Sequence, residues 1–337
     1  MAIDAPARLA WVQRRLLHRV TLTFAVVALL WVVAGVLLPG FAAFGHLRYM
    51  VELASIMGIA AAGQTLVVIA GGIDLSVASI ITFTTVIMPL VSPTWDNSGL
   101  VGAGITLAVA LAVGALNGLG IVFLRVHPLI LTLASATILQ GMLLLIVGGS
   151  AISTTNPAVI WLANGTILGL PMTIVTWLMV SIVMMLLLHG TVLGMWLFAM
   201  GTNDRATRLS GADVRGATIA AYALSGLMSG LAGLLLLGMN RQGSVGIGEP
   251  YLLGSIAAVV LGGTSILGGR GSYLGTIGGS LLLITLTALI TVVNTQPGWR
   301  STSSTCWRPR NTHITQRSHN LHRSSNSSIL NRLPRSS

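Results

Sequence analysis

Positions 203–215 hold Asn203, Asp204, Arg205, Arg208, Asp213 and Arg215, in a chain with only 7% charged residues. Two more acids, Glu52 and Asp74, sit inside apolar stretches. A carboxylate there serves either as a helix cap or as a proton or substrate contact. His127 follows Arg125 at the edge of an apolar stretch, with no second His or carboxylate at ligand spacing. The sequence carries no nucleophile–base set, zinc motif or Gly-rich nucleotide loop. All 18 basic residues are Arg. A P-loop needs a Lys on the phosphates, and Schiff-base chemistry needs an amine. The chain is therefore not expected to be an enzyme or to hold a metal or cofactor, and any ATP that drives it belongs to another subunit.

The elements that must position these residues are membrane helices. The chain is 54% hydrophobic with 40 glycines and a mean hydropathy of +0.87. A soluble domain carries about 25% charged residues, so the fold class is an all-α polytopic membrane protein. Abundant Gly suits close helix packing in lipid. The single Cys306 excludes an internal disulfide. Much of the net charge of +11 lies in the C-terminal tail.

Arg8, Arg14, Arg15 and Arg19 precede the apolar run Thr21–Leu38, and no small-residue cleavage site follows. This predicts a cytoplasmic segment over 1–20 and a first span. Further apolar blocks lie near 50–70, 77–92, 100–124, 129–147, 172–189, 217–237, 251–268 and 272–293. Most reach the roughly 20 residues that a bilayer core needs, and 77–92 is short. About nine transmembrane helices are expected, in a domain spanning 21–298. Alternation puts Arg125, the 190–216 loop and Arg270 inside and leaves Arg48 and Arg241 outside, in agreement with the positive-inside rule.

Two of these blocks are interrupted in corresponding places of the two halves. One breaks at Gly71-Gly72 before Asp74 and Ser76, the other at Gly262-Gly263 before Thr264 and Ser265. Paired broken helices build pathways in many transporters, and a tight turn between spans needs Gly for the same backbone reason. Asp74 and Ser76 are expected to cap a helix beginning at Leu75, with a proton or substrate role as the alternative. Gln64 bridges helices and Asn117 lies on a small-residue face. In the polar loop, Gly201, Thr202 and Asn203 predict a helix entry, and Ala206–Ser210 a short helix that Gly211 stops. Such a helix between two spans either docks on a soluble partner or is a solvated loop.

Several stretches resemble the permease subunits of ribose-type sugar importers of the ATP-binding-cassette class. They are Gly63–Ser76, Leu116-Asn117-Gly118, Pro128–Leu133, Gly194–Gly211, Ser225-Gly226-Leu227 and Ser255–Gly271, in the expected order over roughly 20–293. Gly254 departs from the family's usual Asp or Pro. The resemblance implies about ten spans, a bacterial inner-membrane location and a monosaccharide delivered by a periplasmic binding protein. It also implies a second permease subunit and separate ATPase subunits. The ATPase-coupling residues would be Gly201, Asn203, Arg205, Arg208, Leu209, Ser210 and Gly211. The translocation path would be lined by Gln64, Asn117, Thr132, Thr264 and Ser265, with Gly71, Gly72, Gly262 and Gly263 as structural breaks. A branched-chain amino-acid importer permease or an ion-coupled secondary transporter are the alternatives.

After Trp299-Arg300 the apolar pattern stops and residues 299–337 become rich in Ser and Arg. Such a segment cannot bury enough apolar surface to fold. It is a basic tail for anionic lipid or nucleic acid, a divergent end, or an out-of-frame replacement of the last span; the third reading leaves no nucleic-acid partner.

Overall fold

The computed structural model describes residues 5–38, 40–91, 98–154 and 156–295, so the tail expectations for 299–337 lie outside the described residues. The helices are α1 (Ala5–Leu37), α2 (Phe44–Ile69), α3 (Val77–Val91), α4 (Ser98–Leu124), α5 (Pro128–Val147) and α6 (Pro157–Asn164). They continue with α7 (Met172–Gly190), α8 (Val192–Leu209), α9 (Val214–Asn240), α10 (Glu249–Leu261) and α11 (Tyr273–Thr295). Two-residue strands form two ribbons, β1 (Ile152–Ser153) with β4 (Gln242–Gly243) and β2 (Thr166–Ile167) with β3 (Leu170–Pro171), both antiparallel.

The nine apolar blocks become nine apolar helices. Seven are long and apolar enough to cross a membrane, and α3 and α10 are shorter. Helix α3 fills its block almost completely, and α10 begins just ahead of its own. The 251–268 block is helical only as far as Leu261. The N-terminal segment is helical from Ala5 and runs without a break into the first span, because no Gly or Pro separates Arg8 from Thr21.

Helices α2 and α9 form the centre. From Ala54 to Ile69 every residue of α2 is buried. Small residues let backbones approach: Gly63 of α2 faces the Ser225 backbone, and Gly114 and Gly118 of α4 face Tyr222 and Ile219 of α9. The exposed faces of α4, α5 and α7 carry Leu, Ile, Val and Met, as lipid contact requires. The β1–β4 pairing puts 152–153 and 242–243 on one side, where charge alternation also puts them. The bundle through Leu289 is one compact unit, and beyond it the described chain is the end of α11.

Candidate functional site

Helix α2 ends in a glycine-closed turn. Gly71 has φ +87, its N–H donates to the Val68 carbonyl and the Gly72 N–H donates to the Val67 carbonyl, both at 2.9 Å. This double bond pattern satisfies the last carbonyls of the helix and needs a left-handed residue. The chain then runs back into the bundle as Ile73-Asp74-Leu75-Ser76, and α3 begins at Val77 rather than at Leu75.

Backbone polar groups inside a membrane bundle must be paired. Four helices each send one side chain to this segment. Gln64 of α2, with its amide oriented to satisfy both groups, donates to the Asp74 carbonyl (3.1 Å) and accepts from its N–H (3.3 Å). Thr132 of α5 accepts from the Leu75 N–H at 3.1 Å. Asn117 of α4 donates to Ser76 Oγ at 3.0 Å, and Ser225 of α9 donates to Asp74 Oδ2 at 2.7 Å. Asp74 Oδ1 accepts from the Ser76 N–H (2.9 Å) and the Ser76 hydroxyl (2.6 Å). Asp74 thus closes the turn that leads into α3 through the N–H of Ser76, the residue just before the helix, and its carboxylate is completely buried.

Expected along the path, Gln64, Asn117 and Thr132 are buried, with their polar atoms spent on residues 74–76. Thr264 and Ser265 lie elsewhere. Thr264 is buried with its hydroxyl unpartnered, and Ser265 is half-buried with its N–H bonded to the Arg270 carbonyl at 2.9 Å.

The second interruption repeats the first. Gly263 has φ +87, its N–H reaches the Val260 carbonyl (2.9 Å), and the Thr264 N–H reaches the Val259 carbonyl (3.2 Å). With Gly71 set against Gly263, the position of Asp74 is taken by Ile266, which is exposed. The first segment therefore turns inward on polar partners, whereas the second stays at the surface.

Helix α8 meets both interruptions. Its first part, capped by Thr191, runs from Val192 to Thr202, so Gly201 and Thr202 close that part instead of opening the short helix. Asn203 is non-helical (φ −158, ψ 97), and its Oδ1 accepts from the Ala206 N–H at 3.0 Å, opening a second piece that ends at Leu209. Gly211 follows with φ +86. Arg208 pairs with Asp204 at 2.9 Å, both half-exposed, and Arg205, Ser210 and the large apolar Leu209 (82% exposed) face outward. Gly201 lies against the Ile69 carbonyl and the Gly269 amide so closely that a Cβ has no room. The Gly269 N–H donates to the Ile69 carbonyl at 2.8 Å. The end of the first part of α8 is thus in backbone contact with the last residue of α2 and with the loop that follows α10.

The family model described as branched-chain amino acid transport system / permease component matches residues 47–304. The chain belongs to this permease family. It is 36% identical over 267 residues to the ribose import permease protein RbsC of Escherichia coli K12, covering 77% of this chain and 82% of that one. It is 33% identical to RbsC of Bacillus subtilis 168, covering 77% of this chain and 80% of that one. Against the L-arabinose transport system permease protein AraH of Escherichia coli K12 it is 32% identical over 81% of this chain and 83% of the relative. No solved structure matches.

A cavity of about 540 Å³ in the permease is lined by residues of α2, α9, α10 and α11, among them Met57, Asn240, Tyr251 and Gly254, and by Ile247 between α9 and α10. It adjoins the irregular 241–248 segment, where the Gly248 N–H is held by Thr82 of α3 at 3.1 Å. Sequence reasoning finds neither this cavity nor the Gly201–Ile69–Gly269 contact. Gly runs mark close approaches but do not say to what.

Proposed function

We propose that this permease is the membrane-spanning subunit of an ATP-driven monosaccharide importer in a bacterial inner membrane. Two ATPase subunits dock on residues 203–211 of a permease pair, and a periplasmic binding protein delivers the sugar. The chain itself hydrolyses nothing, because without Lys it has no P-loop. The relatives named as ribose and L-arabinose permeases support a monosaccharide. The matched family's own description, which names branched-chain amino acids, is the one observation favouring the second reading.

The observation that carries the mechanism is the backbone contact of Gly201 with Ile69 and Gly269. Leu209 is the apolar anchor and Arg205 and Arg208 the charged rim of the docking helix, held in shape by Asn203, Ser210 and Gly211. Closure of the ATPase pushes this helix. With no compressible side chain at Gly201, the push passes to the end of α2 and to the loop after α10. The two interrupted segments then shift as units. Gln64 and Thr132 keep the backbone of 74–76 satisfied while it moves, Asn117 and Ser225 hold the Ser76 and Asp74 side chains, so all four belong to the wall, and Thr264 and Ser265 lie at the second hinge. An ion-coupled carrier is disfavoured because Glu52 is paired with Arg48 at 3.0 Å and Asp74 is held by hydroxyls and an amide.

Co-purification from solubilised membranes tests the reading, comparing the parent with an Arg208→Glu, Gly211→Pro variant. An ATPase subunit retained by the parent and lost from an inserted variant is the expected result. Absence of any ATPase from the parent contradicts it.

A further inference from the structure

On the face that carries the 203–211 helix, a cavity of about 300 Å³ opens between the end of α4, the end of α8 and the start of α9. Three arginines line it, Arg125, Arg208 and Arg215, one from each element, and Ile121, Val122 and Val126 form an apolar side. Arg208 shares its charge with Asp204. Among the described residues, Arg125 and Arg215 form no ion pair. The nearby Asp213 is engaged as the cap of α9, accepting from the Gly216 N–H at 2.9 Å. Three cations thus gather around one small space, with Asp204 paired to one of them and Asp213 turned to the start of α9, and an anion relieves their mutual repulsion. Arg125 moreover has φ +55, a left-handed helix end that Gly would occupy at no cost.

We propose that this cavity binds a phosphate group. Guanidinium forks match phosphate oxygens two at a time, which suits a tetrahedral oxyanion better than a lone carboxylate. Phe123 and Leu124, next to Arg125, are 66% and 67% exposed and offer acyl chains an apolar surface beside the charged cavity. The phosphate therefore comes from an anionic phospholipid headgroup or from a free phosphate. Either one bridges α4, α8 and α9 and pins the short 203–211 helix to the bundle. The site stands on its own residues and does not depend on which cargo or ATPase the permease serves.

The test uses the full chain in mild detergent, as the parent, an Arg125→Gln, Arg215→Gln variant and an Arg125→Lys, Arg215→Lys variant. Native mass spectrometry follows titration with phosphatidylglycerol, with zwitterionic phosphatidylcholine as control. Thermal unfolding is compared in inorganic phosphate and in chloride at equal ionic strength. Each arginine near an anionic surface contributes enough that removing two weakens binding about thirtyfold. Phosphatidylglycerol binding lost in the Gln variant and partly recovered in the Lys variant, which restores the charge without the fork, supports a lipid source. A phosphate-dependent rise in midpoint, seen in the parent and not in the Gln variant, supports a free anion. Arg125→Gly covers the case of a Gln variant that does not fold, because it removes the charge while easing the backbone. Equal binding of lipid and phosphate by the parent and any folded charge-deleted variant overturns the proposal. So does a deficit confined to ATPase association, which would make the cavity a protein contact.

Discussion

The N–H of Gly269 donates to the carbonyl of Ile69 at 2.8 Å, which ties the turn after α10 to the last residue of α2. Gly201 of α8 sits on this bond, leaving no room for a Cβ at its own position. Three segments that are far apart in sequence therefore share one backbone junction, and two of them are the interrupted ends.

Gly201→Ala is expected to destabilise the bundle by about 1–3 kcal/mol, the usual cost of overpacking a filled site. Gly190→Ala, where a Cβ meets nothing within 4 Å, is the control and should be neutral or slightly stabilising. Unfolding midpoints in detergent check the pair, and equal midpoints for both variants would show that the junction is loose.

Asp74→Ala removes the acceptor for the Ser76 N–H, the Ser76 hydroxyl and the Ser225 hydroxyl. Stranding buried donors costs about 1–3 kcal/mol for each one left unmet, although hydroxyls can turn to other partners. The expected outcome is a loss of at least about 2 kcal/mol in denaturant unfolding. Asp74→Asn, which keeps an acceptor oxygen, should lose less. An Asp74→Ala protein as stable as the parent would rule out this anchoring role.

Leu209→Ser should leave stability within about 0.5 kcal/mol, since the side chain is 82% exposed. ATPase affinity should fall at least about tenfold if Leu209 is an interface anchor. Binding of the ATPase subunit to the reconstituted permease measures this. Asp204→Asn, which only opens an exposed i,i+4 pair, should change stability by less than about 0.5 kcal/mol.

Ser153 faces Gln242 in the β1–β4 ribbon, and both are exposed. In a Cys306→Ser background, Ser153→Cys with Gln242→Cys should form a disulfide under mild oxidation, because paired positions in an antiparallel ribbon lie within bridging range. A membrane-impermeant thiol reagent should reach the reduced pair from the side opposite the 203–211 helix. Labelling from the same side as that helix would contradict the topology.

The helices were the legible part of the sequence, because lipid forces each span into a long apolar run and arginines mark the inner ends. The two interruptions also announced themselves through Gly71-Gly72 and Gly262-Gly263. The partners of Asp74 were less accessible. A single acid in an apolar run predicts a cap, but only the packing of α4 and α5 against α3 and of α9 against α2 supplies Asn117, Thr132 and Ser225. Gly201 misled for a related reason. Locally Gly-Thr-Asn suggests a helix start, yet α8 already runs through Gly201 because the neighbouring backbones leave no space for a side chain. What a glycine makes room for lies elsewhere in the chain.

In the proposed mechanism the 203–211 helix transmits force through Gly201 to both interrupted segments. The most direct test is the ratio of monosaccharide taken up to ATP hydrolysed in proteoliposomes holding the permease, an ATPase subunit and a sugar-binding protein. Gly201→Ala should still recruit the ATPase and hydrolyse ATP, while uptake per ATP falls about tenfold or more, equivalent to about 1.4 kcal/mol or more of lost coupling. A ratio equal to that of the parent, in a variant that binds the ATPase normally, would contradict the account.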